Sequence, residues 1–129
     1  MSNYIQAYSV DTTDDFDKSA VRFVKKKKFR KLPNQIENLI DDFENGNFSG
    51  DLLTRHDNPA YEVYKKRLPN EDTQTGTSDG YRVIYMVVQE KRVVGLLAIY
   101  YKKETDTLSD TYIQGLVDGF LITVLPDDE

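Results

Sequence analysis

Apolar positions along the chain follow two rhythms, one helical and one alternating. Phe16, Ala20, Phe23 and Val24 mark one helical face. They follow the capping oxygens and first-turn acids of "DTTDDFD" and predict a helix running to about Arg30, with lysines over its remaining surface. Leu32-Pro33-Asn34 breaks that helix and starts another, since proline is tolerated in a first turn. There Ile36, Leu39, Ile40 and Phe43 fall at i, i+3, i+4 and i+7, and Asn45-Gly46 is the expected stop. The pair reads as a helical hairpin with one apolar seam.

The alternating rhythm predicts strands. "YIQAYSV" alternates loosely ahead of the first helix, and "YEVYKKRL" has the Tyr and Val content of a strand. The stretch "GYRVIYMVVQEKRVVGLLAIYYKK", residues 80 to 103, is the most apolar part of the chain. It divides into two strands, Tyr81 to Val88 and Val93 to Tyr101, whose short polar connection predicts antiparallel pairing. "NGNFSGDLLTRHDNPA" and "PNEDTQTGTSDG" are loops rich in turn formers. A closing helix is expected from Leu108-Ser109-Asp110, with Ile113, Leu116, Val117 and Phe120 as its stripe, although Gly115 and Gly119 lower its propensity. "FLITVLPDDE" fits a helix end, an added strand or a tail equally well. The order predicts an α+β domain: two N-terminal helices packed on an antiparallel sheet, with a C-terminal helix, one sheet face covered and the other left open.

Length and composition narrow this picture. At 129 residues, without a repeat or a low-complexity linker, the chain is expected to form one domain over residues 1–129. The absence of cysteine excludes disulfides and thiolate metal sites. The first residues lack a basic start and an apolar middle, and the longest apolar run, Val93 to Tyr101, is nine residues, so a cytoplasmic location and no membrane span are expected. The net charge of −5 conceals a segregation. Residues 18–31 carry eight basic groups and no acid, residues 104–129 seven acids and no Lys or Arg, and without that last segment 17 basic residues face 15 acidic ones.

Alternation places Val63, Lys65 and Arg67 on one side of their strand, and Arg82 on the side of Ile84 and Met86 in the next. If the three strands form a meander, Lys65, Arg67, Arg82 and either Lys102 or Lys103 converge near one end of the sheet, an arrangement suited to an anion. The competing interpretation is ordinary solvent-facing charge at strand ends, with Arg82 pairing Glu62 across the strands. Other chemistries lack parts. His56 stands alone beside Asp57, short of a triad or zinc site. "GTSDG" has no P-loop lysine. Asp41-Asp42, Asp127-Asp128 and "KKKKFRK" read as solvated surface.

The segments "FDKSAVRFVKKKKFRKLPNQIENLIDDFENGNFSGDLL", "VYKKRL", "SDGYRVIYMV" and "LLAIYYKKETDTLSD", in this order, resemble the RelE/ParE superfamily of toxins from bacterial type II toxin–antitoxin modules, over about residues 14 to 118. The resemblance implies a compact α+β fold and a metal- and cofactor-free activity. RelE-like members enter the ribosomal A site and cut messenger RNA with basic side chains, whereas ParE-like members use the same fold to poison DNA gyrase. The resemblance maps catalysis onto Lys65, Arg67, Arg82, Lys102 and Lys103. Arg67 and Arg82 correspond to phosphate ligands, Lys65 to proton transfer or orientation, and Lys102 or Lys103 to a hold on the scissile phosphate. Tyr64, Tyr81 or Tyr101 are candidates to stack on a splayed base. The partners implied are a cognate antitoxin, the ribosome and its single-stranded messenger, with DNA reached only through the antitoxin complex. A non-catalytic binding protein on the same fold, such as a gyrase inhibitor or an attenuated toxin held by an antitoxin, remains the alternative.

Overall fold

The computed structural model describes residues 7–124. Strand β1 (Ser9–Thr12) leads into α1 (Asp14–Lys25), whose N-terminus is capped by Thr13 Oγ1 accepting from the Phe16 N–H at 3.1 Å. The expected strand at "YIQAYSV" thus lies later, and its first three residues fall outside the described part. Helix α1 also stops short of Arg30. Lys28 adopts φ 64°, and this left-handed turn lets Phe29 swing into the core, where its ring meets Tyr81 and Tyr101. Burial of one aromatic outweighs another turn of all-lysine helix. Helix α2 (Leu32–Glu44) starts at the expected proline and ends at Asn45, followed by Gly46 at φ 79°.

Strands β2 (Asp51–Leu52), β3 (Glu62–Leu68), β4 (Tyr81–Val88) and β5 (Val93–Tyr101) precede α3 (Asp110–Val124). The sheet order is β1-β5-β4-β3-β2. Strands β2 to β5 pair antiparallel, as expected, and β1 joins the β5 edge in parallel.

Alternation along β4 splits its side chains between two cores. Tyr81, Val83, Tyr85 and Val87 pack under Phe16, Phe23, Leu39 and Phe43 of the α1–α2 hairpin. Ile84, Met86 and Val88 pack with Val63 under Ile113, Val117 and Phe120 of α3. The second sheet face is therefore largely covered, contrary to the expectation that it stays open. A strand apolar at nearly every position has two faces to bury. The register shift between Ile84 and Tyr85 leaves Leu97 of β5 without a β4 partner, so Leu97 and Ala98 both turn toward α3. Gly95 lets the helix dock: a Cβ there would stand 2.6 Å from the Phe120 ring.

Candidate functional site

Basic residues of β3 and β4 stand side by side on the α3-covered face where β4 begins, with Lys102 just past the end of β5. In the β3–β4 register Arg67 stands opposite Arg82, and Lys65 opposite Ile84. Arg82 in turn faces Tyr100 of β5. Arg67 is exposed, Lys65 half-buried, and Arg82 only 6% exposed. Neither arginine is ion-paired with a carboxylate among the described residues.

Arg82 is held by backbone. Nη1 donates to the carbonyls of Thr77 at 2.8 Å and Tyr81 at 3.2 Å, and Nη2 to that of Ser78 at 3.2 Å. Thr77 to Asp79 form a 3-10 turn whose carbonyls close around the guanidinium. Gly80 permits this turn to sit against the end of β3, since a Cβ there would come within 2.9 Å of Pro69 Cα. The expected pairing of Arg82 with Glu62 does not occur. Glu62 lies opposite Val87 and accepts from the Tyr64 hydroxyl at 2.6 Å. The Nε–H and one Nη2 N–H of Arg82 keep no partner among the described residues.

Lys102 closes the site from β5. Its N–H bonds the Gly80 carbonyl at 2.9 Å, and its ammonium holds Asp106 twice, at the backbone oxygen at 2.9 Å and at Oδ1 at 2.7 Å. These contacts hold the Asp106 carboxyl below its ordinary range, through the hydrogen bond first and the Lys102 charge second. Lys65 adds to the same lowering, so a single carboxylate senses ammonium groups from both β3 and the end of β5. Lys103 is exposed in the turn past β5, without a polar partner among the described residues, so only Lys102 of the pair is tied to the site.

Other candidates lie elsewhere. Tyr81 and Tyr101 are buried among Phe23 and Phe29 and are not available to stack on a base. Tyr64 stacks on Tyr85 at 5.1 Å between ring centroids on the α1–α2 side, and burial, then its bond to Glu62, push its phenol up to about 12. His56 is buried and bonds Gln114 Oε1 at 2.8 Å and Asp110 Oδ1 at 3.2 Å, which ties the loop before β3 to α3. Two parts of the site escaped the sequence reading. Asp106 was signalled only by standing four residues after Lys102. The Thr77 and Ser78 carbonyls have no side-chain signature.

Chemically, the sheet end is a cationic shelf: the bonded guanidinium of Arg82 in the floor, the exposed one of Arg67 beside it, and the ammonium groups of Lys65 and Lys102 at the rim. Such a shelf can donate to the non-bridging oxygens of a phosphate and stabilise charge that develops there.

No protein-family model matches the chain. No curated protein matches it either. Among solved structures, the isolated RelE toxin of E. coli, in its P21 crystal form, is similar at 21% identity over 87% of this chain and 98% of that chain, with a TM-score of 0.48.

Proposed function

We propose that the chain is the toxin of a type II toxin–antitoxin module, and that the basic shelf cleaves messenger RNA in the ribosomal A site. The observation that carries this reading is the Arg67–Arg82 pair. Like charges directly opposite on a sheet are destabilising by a few tenths to about 1 kcal/mol. Here they stand together without a carboxylate between them, flanked by Lys65 and Lys102. A phosphodiester is the anion that relieves such a juxtaposition. The "VYKKRL", "GYRVIY" and "IYYKK" segments, whose order resembles that of RelE-like toxins, carry these same side chains.

In this mechanism the 2′-hydroxyl of the RNA attacks its own 3′ phosphate and the bond from phosphorus to the 5′ oxygen breaks. The 2′ proton passes to a base and the departing 5′ oxygen receives a proton, leaving a 2′,3′-cyclic phosphate and a 5′-hydroxyl. Arg67 and Arg82 stabilise the phosphorane as permanent cations. Lys65 handles or orients a proton, since a lysine can be tuned by neighbouring charge to exchange one. Lys102, released from Asp106, holds the phosphate or its neighbour.

A second reading is favoured by the resting contacts: Arg82 already spends three N–H groups on carbonyls, and Lys102 is engaged by Asp106. A shelf so occupied fits a protein that binds without cutting, held by an antitoxin or acting on gyrase. Induced expression, with and without the product of the adjacent gene, tests the shared part of both readings. Growth arrest relieved by co-expression supports a toxin role, and unaffected growth contradicts it. Messenger cleavage then separates the two.

A further inference from the structure

The outer face of α1 carries a charge pattern that is symmetric about one exposed apolar residue. Asp14, Asp17, Val21 and Lys25 follow one another at spacings of three and four, which places them on a single stripe of the helix. All four are exposed, and Val21 retains 51% of its surface. None of the three charged residues forms an ion pair among the described residues. Acids at the start and bases at the end of a helix suit its dipole. The dipole does not explain why a valine stands exposed at the centre, between two grooves of about 490 and 400 Å³ that share Asp17, Val21 and Lys25 as their common wall. The larger groove is floored by Ala20 and Val24 of α1 and by Ile36 of α2.

We propose that this stripe is the contact surface for a second copy of the chain, with the two α1 helices packed antiparallel across a two-fold axis at Val21. Reversal of the helix about Val21 brings Asp17 of each copy onto Lys25 of the other. Two ion pairs then flank a Val21–Val21 contact, and each valine ridge settles beside the groove of its partner. A self-complementary patch of this kind is what a closed two-fold interface requires. The stripe lies on the opposite side of the sheet from Arg67 and Arg82, so association leaves both basic shelves uncovered. The contact is one helix wide, which places it among weak, salt-sensitive interfaces.

Sedimentation velocity across a concentration series at low salt tests this in the intact protein, with circular dichroism verifying the fold of each variant. The wild type is expected to double in mass toward high concentration and to revert as salt rises. Asp17→Lys and Lys25→Asp should each remain monomeric. Mixing these two variants should restore the doubled mass, because each then supplies the charges the other lacks, and the double swap in one chain should restore it as well. Val21→Asp, at an exposed position, should stay folded and monomeric. A wild type that remains monomeric at every concentration overturns the proposal. So does a dimer that survives the single charge reversals, or one that neither the mixture nor the double swap recovers.

Discussion

The guanidinium of Arg82 donates to the Thr77 carbonyl at 2.8 Å, so the arginine proposed as a phosphate ligand is also built into the fold at the start of β4. Arg82→Ala removes this bond and those to Ser78 and Tyr81, and strands their carbonyls. The expected cost is about 1–3 kcal/mol, or a Tm lowered by about 3–10 °C. Thermal melts of the variant check this. An unchanged Tm shows that the carbonyl contacts contribute nothing. Because of this structural role, loss of activity in Arg82→Ala has to be read against a matched stability control.

Asp106 competes with any anion for Lys102. Its folded carboxyl titrates below the ordinary value of 3.8, so the contact is present above that value and is lost as pH falls through the lowered one. Asp106→Asn should therefore tighten binding of a short RNA oligonucleotide severalfold at neutral pH. The same variant should flatten any gain in wild-type binding seen on acidification. Titration by fluorescence anisotropy at fixed ionic strength measures both. Equal affinities for the two proteins contradict the competition.

Glu104 clamps the turn after β5 to α1, bonding Arg22 Nη2 at 2.6 Å and Lys27 Nζ at 2.9 Å. The Arg22 hydrogen bond leads the lowering of its carboxyl below the ordinary 4.5. A depressed folded value means that the clamp contributes stability above the unfolded value and loses it as pH drops through the folded one. Being partly solvated, it is expected to contribute no more than about 1 kcal/mol. Denaturant melts of Glu104→Gln should run slightly below wild type at pH 7 and converge with it in strong acid. A constant offset at all pH values contradicts this assignment.

Closure of the second sheet face depends on Gly95 lying under Phe120. Gly95→Ala inserts a methyl group where the ring already sits, and should destabilise by about 1–3 kcal/mol. The loss should concentrate in α3, so amide exchange should accelerate at Ile113 and Val117 more than in α1. Uniform acceleration throughout the chain contradicts a local role for this contact.

The hairpin of β4 and β5 was legible in the sequence to its ends, Tyr81–Val88 and Val93–Tyr101, because two apolar runs are separated by one polar break. The convergence of Lys65, Arg67 and Arg82 followed from strand alternation and a meander. The closure of the second face was also written in β4, where both faces are apolar, but it was outweighed by the expectation of a working surface. Phe29 ended α1 early because a core contact with Tyr81 and Tyr101, distant in sequence, overrode local helical spacing. The burial of Arg82 had no sequence signal at all: its partners are main-chain carbonyls, which every residue carries.

Messenger cleavage puts the proposed role of Arg67 and Arg82, stabilising a reacting phosphate, to a direct test. Arg67 is the sharper probe of the two, being exposed and its side chain free of hydrogen bonds and ion pairs among the described residues, so Arg67→Ala should leave stability within about 0.5 kcal/mol of wild type. The decisive measurement is the single-turnover rate of messenger cleavage on programmed ribosomes, wild type against Arg67→Ala, with products typed for 2′,3′-cyclic phosphate ends. Cleavage by the wild type and a loss of about 100- to 1000-fold in the variant are expected, the cost of removing one preorganised donor to a developing oxyanion. Cleavage at equal rates by both proteins, or none by a folded wild type, contradicts that role.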